Sequence, residues 1–277
     1  MPLPLLCPLF CLRPTLTSAL SSRIHYPAQA DLSKNFHLTA TYNQQRTYPG
    51  TSPPVPNMAL TYYPLNIVSV EEVLKEALPW EEKTGFDTGV SVVVFVSNCK
   101  AAGAEQRVRF LTDLMQYMPV HSYGGCLNNR KEPQFPHDPS WPNQRRANKV
   151  KVVSRYKFYL AFENLQVNDY VSEKVFEGLF AGAVPVYRGA KEISNFMPAD
   201  DSFIDANGMS AGQLATLLKL LAAEESKDKY DKFFAFKKRP LPQRFYEMAS
   251  NSYCHPNILC RMCEFAAHNR TSATTYA

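Results

Sequence analysis

Residues 89–98, GVSVVVFVSN, form an unbroken β-branched and aromatic run with no alternation of polar positions. A strand that is apolar on both faces has to be covered on both, which is the setting of a parallel sheet rather than a half-solvated antiparallel one. YKFYLAF at 156–162 has the same character, and Ala183 to Tyr187 is a shorter run. Segments of helical spacing lie between them. Val108, Leu111, Leu114, Met115 and Met118 share a stripe within 104–118, and Val171, Val175 and Leu179 recur every four residues within 169–181. Pro119 ends the first segment and Val120 opens another strand. An edge strand is expected at Ser202 to Ile204, and a leucine-rich helix at 210–223 with Ser210 as its cap. The order β-α-β-loop-β-α-β-β-α over 90–223 predicts an α/β fold, a Rossmann-like, doubly wound, mostly parallel sheet.

The flanks differ in character. Residues 1–65 read as a leader and Pro-rich linker without packed structure, with YPGTSPPVP at 48–56 as its clearest stretch. The apolar run Leu3 to Leu12 is broken by prolines and preceded by no basic residue, so it fits an unstructured leader or the remnant of a signal or anchor. No stretch reaches the 18 apolar residues of a membrane span. Residues 66–89 read as the remnant of a preceding domain or as a connecting helix, with Val70, Val73, Leu74, Ala77 and Leu78 at helical spacing and the helix ending near Pro79. Leu127 to Asn148 predicts a long polar loop holding Trp141, and 224–277 a helical, cysteine-containing extension. Thirty basic against 25 acidic residues give a net charge of +5, which suits an anionic ligand but is too small and scattered for nucleic acid. Of the seven cysteines, Cys254, Cys260 and Cys263 cluster around His255 with spacing unlike a zinc finger or ribbon, which favours disulfides over zinc.

In open parallel sheets ligands lie beyond the carboxyl ends of the strands, where helix amino termini direct free N–H groups at anions. Ser97-Asn98, Tyr123 to Gly125, Glu163-Asn164 and Gly189 occupy such positions. The helix after Phe162 opens with Tyr170, Glu173 and Lys174, and a lysine there opposes the helix dipole unless an anion sits between the two. Lys174 is therefore a candidate phosphate partner, Glu173 a candidate acceptor for a ribose or sugar hydroxyl, and Tyr170 offers its ring or hydroxyl. The same pair also fits a solvated charged helix face. Arg107 and Arg109, in the first turns of the preceding crossover helix, are placed to bridge a pyrophosphate with paired donors. No GxGxxG follows a buried strand, and neither GxxxxGK[ST] nor GxSxG occurs, which argues against dinucleotide oxidoreductases, P-loop phosphotransferases and α/β-hydrolases.

The string RYKFYLAFENLQVNDYVSEKVFEGLFAGAVPVYRGAKEISNFMPADDSFID, 155–205, resembles the signature of the family 10 glycosyltransferases, the α1,3-fucosyltransferases. VSNC at 96–99, SYGGC at 122–126 and CRMCEFAA at 260–267 resemble the plant-type core enzymes. Ser172 stands where that family usually has Thr, and Leu165 where it usually has Ser. The resemblance covers roughly 90–270 and implies a two-domain GT-B enzyme that moves L-fucose from GDP-fucose to N-acetylglucosamine with inversion. It implies donor-binding roles for Arg107, Asn164, Tyr170, Glu173 and Lys174. It also implies a Golgi setting behind a membrane anchor, and a glycan or glycoprotein acceptor. The amino-terminal acceptor domain, which supplies the family's catalytic base, is expected to be incomplete, and no base is identified among Glu71, Glu72, Glu76, Glu81 and Glu82. No metal or cofactor is expected, since Asp200-Asp201 reads as a turn or helix start. An alternative is a truncated, inactive GDP-sugar-binding module; another is a transferase for a different nucleotide sugar.

Overall fold

The computed structural model describes residues 39–41, 57–59, 61, 63, 70–100, 103–139, 141, 143–252, 262, 264 and 265. The chain divides into two units, Thr61–Cys254, and Met1–Leu60 together with His255–Ala277. In the second of these the strands β1 (Thr39–Thr41) and β2 (Asn57–Ala59) pair in parallel, with Thr39 opposite Asn57, inside the segment read as linker. The carboxyl-terminal cluster of Cys254, Cys260 and Cys263, and the apolar run Leu3 to Leu12, lie outside the described residues.

The Thr61–Cys254 unit is built on five parallel strands: β3 (Val92–Phe95), β4 (His121–Tyr123), β5 (Phe158–Phe162), β6 (Val184–Arg188) and β7 (Ile204–Asp205). Their order is β4-β3-β5-β6-β7, with Val93 opposite His121, Val92 opposite Phe158, Phe158 opposite Val184 and Val186 opposite Ile204. Helices α1 (Ala104–Tyr117), α2 (Gln144–Val153), α3 (Glu173–Ala181), α4 (Ala211–Ala222), α5 (Lys227–Lys232) and α6 (Gln243–Ser250) complete it.

The two-residue alternation of the strands divides the interior into two layers. Val92, Val94, Phe158, Leu160, Phe162, Val184 and Val186 face Leu111 and Leu114 of α1 and Leu214 and Leu218 of α4. Val93, Tyr159, Ala161 and Tyr187 face Val150 and Val153 of α2 and Val175, Phe176 and Leu179 of α3. Each fully buried aliphatic or aromatic side chain contributes roughly 1.5–3 kcal/mol, so covering both faces is what makes the unbroken apolar strands tolerable. Helix α4 starts where its sequence indicates: Ser210 accepts from the Gln213 amide while the Gln213 side chain accepts from the Ser210 amide.

Three elements depart from the sequence expectation. In place of the helix expected to end near Pro79, the described residues 70–82 form two short 3₁₀ turns, Val70–Leu74 and Trp80–Glu82. Lys237 Nζ takes the carbonyls of Val73 and Lys75, groups that a continued helix would need for itself, and Pro79 has no amide to donate. The helix expected from residue 169 begins at Glu173, because Asp169 is left-handed at φ 62° and Ser172 is extended. Helix α2 starts inside the expected loop 127–148, capped by Asn143, whose side chain accepts from the Arg146 amide. Lys83 joins the far ends of α2 and α3: its buried Nζ donates to the Gly182 carbonyl at 2.7 Å and to the Ser154 carbonyl at 3.2 Å. Burial, helped by Lys237 and Arg155 and opposed by Glu82, lowers its pKa to about 7. No helix of the described residues is long and apolar enough to cross a membrane.

Candidate functional site

β4 and β5 lie on opposite sides of β3, so the winding of the sheet reverses between them. A crevice opens at such a reversal, beyond the carboxyl ends of the strands. Arg107, in the first turns of α1 and only 5% exposed, lies at this reversal. One terminal nitrogen donates to the Phe162 carbonyl at 3.2 Å and to Asn164 Oδ1 at 2.6 Å; the other donates to the Asn98 carbonyl at 2.7 Å. A guanidinium carries five N–H bonds, so these three contacts leave two uncommitted. One of the two is on Nε, which is buried with no partner. The segment that offers the Asn98 carbonyl is tied down by a disulfide between Cys99 and Cys126, which joins the loops after β3 and β4. Gly103, at φ 83°, precedes α1; a Cβ there would lie 2.6 Å from the Asn164 carbonyl, so the loop after β5 sits directly on it.

Glu163 follows directly on the carboxyl end of β5, with its side chain wholly enclosed. Its Oε1 accepts from the Ser172 amide at 2.7 Å, and its Oε2 from the Ser172 hydroxyl at 2.6 Å and from Lys174 Nζ at 3.3 Å. Lys174 Nζ also donates to the Ser172 hydroxyl at 2.7 Å and stands 3.6 Å from Glu173 Oε1. Burial works against the Lys174 charge, but Glu163, Glu173 and Tyr170 outweigh it and raise its pKa. Glu173 is also pushed toward neutrality by burial, yet Lys174, Lys149, its own amide and Arg146 hold its pKa down at about 2. Tyr170 is raised, by burial first and then by Glu163. Both charges of the Glu173-Lys174 pair are thus fixed at neutral pH.

Helix α2 brings two further cations. Arg146 Nε lies 3.0 Å and Lys149 Nζ 2.5 Å from the carboxylate of Glu177, which is buried on α3. Lys149 also lies 5.3 Å above the Phe95 ring. This ion triad locks α2 to α3 and places positive charge near the first turn of α3.

Of the sequence candidates, Arg107 and Asn164 meet directly, and Glu173 and Lys174 meet each other; Tyr170 joins them electrostatically. Arg109 is exposed on α1, away from this cluster of contacts. Sequence reading missed the roles of Glu163, Ser172, Arg146 and Lys149. Ala147, Val150 and Val153, at helical spacing, were the available signal for α2 and its cations. Among the described residues no group of three His, Cys, Asp or Glu is arranged to hold a metal ion.

A family model described as glycosyltransferase family 10 (fucosyltransferase) C-term matches residues 86–277. The chain is similar to GDP-fucose protein O-fucosyltransferase 3 of Gallus gallus, with 31% identity over 204 residues, 73% of this chain and 40% of that protein. It is 35% identical over 175 residues to a putative fucosyltransferase-like protein of Arabidopsis thaliana, covering 62% of this chain and 30% of that one. Alpha-(1,3)-fucosyltransferase B of Drosophila melanogaster matches at 27% over 182 residues, 66% of this chain and 39% of its own length. The chain therefore spans less than half the length of these relatives. Among solved structures, an alpha1,3-fucosyltransferase with GDP shares the fold with a TM-score of 0.54 and 18% identity, over 84% of this chain and 70% of that one.

Proposed function

The chain belongs to glycosyltransferase family 10, and on that premise we propose that it moves L-fucose from GDP-fucose to an N-acetylglucosamine of an N-linked glycan, forming an α1,3 linkage with inversion. The observation that carries this reading is a cation-rich crevice with an unsatisfied buried donor: Arg107 Nε at the sheet reversal, and Lys174 at the first turn of α3. A buried N–H without a partner is costly unless a ligand supplies the acceptor, and a diphosphate oxygen is such an acceptor.

In this scheme a carboxylate removes the acceptor hydroxyl's proton as the oxygen attacks the anomeric carbon. The bond from that carbon to the phosphate oxygen breaks, and GDP leaves with the electron pair. Lys174 and the free N–H groups of Arg107, with the dipole of α3 behind them, stabilise the charge that develops on the diphosphate. Asn164, held by Arg107, contributes its amide. Glu173, ionised, accepts a hydrogen bond from a ribose hydroxyl, and Tyr170 flanks the donor. These cations carry the leaving-group charge, so the scheme assigns no step to a metal. A lumenal Golgi setting at a membrane goes with this activity, and the Cys99–Cys126 disulfide accords with an oxidising compartment.

The similarity to a protein O-fucosyltransferase favours a second acceptor, a serine or threonine hydroxyl of a polypeptide. A third reading is a module that holds GDP-fucose without transferring it. Calorimetric titration with GDP and GDP-fucose, beside Lys174→Ala, followed by transfer assays on an N-glycan and on a Ser/Thr peptide, separates the three. We expect Lys174→Ala to weaken GDP at least tenfold and fucose to reach the glycan. Peptide labelling would replace the acceptor, binding without transfer would leave the module, and an unaltered GDP affinity in Lys174→Ala would overturn the donor site.

A further inference from the structure

Glu163 has no part in the scheme above, although it is the most enclosed charge in the crevice, with a side chain 0% exposed. A carboxylate in such a place needs hydrogen-bond partners, and all three of its contacts come from two residues, Ser172 and Lys174. Ser172 is the N-cap of α3, a position at which a hydroxyl ordinarily accepts from one of the next amides. Here it makes no such bond. Its hydroxyl donates to Glu163 and accepts from Lys174 instead. One carboxylate thus has two effects: the ammonium is held beside the helix entrance, and the cap hydroxyl is kept off the first-turn amides. Gly189 preserves the space for this arrangement, since a Cβ there would come within 2.7 Å of Glu163 Cγ.

We propose that Glu163 is a positioning residue for the donor diphosphate: through the Ser172 hydroxyl and by its own contact with the ammonium it pins Lys174 at the mouth of α3, where the leaving phosphate would lie. This rests on the reading of Lys174 as the diphosphate's partner. Of the three N–H bonds of the ammonium, Ser172 and Glu163 take two and the third remains for a phosphate oxygen. Removing Glu163 would release both restraints together. The cap hydroxyl would be free to turn away from Lys174, and the ammonium would lose its fixed position.

Acting through Lys174 makes Glu163 testable by a double-mutant cycle. GDP would be titrated calorimetrically into the full chain, into Glu163→Gln, Ser172→Ala and Ser172→Thr, and into the first two of these in a Lys174→Ala background. The expected result is a loss of about tenfold in GDP affinity for Glu163→Gln and for Ser172→Ala, shrinking to less than twofold once Lys174 is Ala. Ser172→Thr, which keeps the hydroxyl, stays within threefold of wild type. Losses of equal size in both backgrounds overturn the proposal, because a residue with only a structural role costs the same whether or not Lys174 is present. The Ser172 arm reads the same coupling if Glu163→Gln does not fold. A Lys174→Ala variant that binds GDP as wild type does overturns the donor reading and this proposal with it, whereas background-independent losses beside a weakened Lys174→Ala overturn this proposal alone.

Discussion

Replacing both Cys99 and Cys126 with alanine should cost the fold about 3.5 kcal/mol and loosen the proposed donor site as well. The bond closes a separation of 27 residues. In the chain-entropy account, a loop of that length removes about 12 cal/mol/K from the unfolded ensemble, which is about 3.5 kcal/mol at 25 °C. Urea unfolding without reductant, comparing the wild type with Cys99→Ala/Cys126→Ala, measures the loss while leaving the other five of the seven cysteines unchanged. The functional part follows from geometry. Cys99 adjoins Asn98, whose carbonyl holds Arg107 at 2.7 Å, and Arg107 in turn holds Asn164 at 2.6 Å. Freeing the segment should therefore weaken GDP binding three- to tenfold in the folded variant. A stability loss below about 1 kcal/mol would refute the cross-link, and a full loss with unchanged GDP affinity would refute its role in seating Arg107.

Two further outcomes follow from single residues. Lys83 has a folded pKa of about 7 against an ordinary 10.5, so between those values the folded chain has released a proton that the unfolded chain still binds, and stability rises with pH. From pH 7 to pH 9 the unfolding free energy of the wild type should rise by about 2 kcal/mol more than that of Lys83→Met, and parallel curves would refute the buried-lysine account. Gly103→Ala sets a methyl group in a left-handed residue pressed on the Asn164 carbonyl, at an expected cost of about 2 kcal/mol and several degrees in Tm; a melting curve within a degree of wild type would refute that packing.

The sheet was legible because β3, β5 and β6 carry their burial in their own composition: Val92 to Val94 and Phe158 to Phe162 need covering on both faces wherever they sit. Helix α4 was legible from Ser210 and its leucines. Helix α2 was hidden by its charges. Arg146 and Lys149 suggest solvent until Glu177 is known to face them from α3, a partner 28 residues away from Lys149 in sequence. Glu163 escaped for a similar reason, since its neighbour Ser172 looks like an ordinary cap until the hydroxyl is seen to point away from the amides. The start of α3 was misjudged because a left-handed Asp169 leaves no mark in hydrophobic spacing. What the sequence cannot show locally is which charged residues neutralise one another across the fold.

The reach of Arg107 has a consequence for how the chain assembles. Its acceptors stand 9, 55 and 57 residues along the sequence, at Asn98, Phe162 and Asn164. A nascent chain that has made β3, α1 and β4 already contains the arginine but only one of its three acceptors. The crevice has no local precursor: it requires β5 beside β3, a long-range pairing of the kind that slows parallel sheets. On the proposed donor reading, GDP would bind the finished sheet alone, and its presence would draw the folding equilibrium toward completion by mass action.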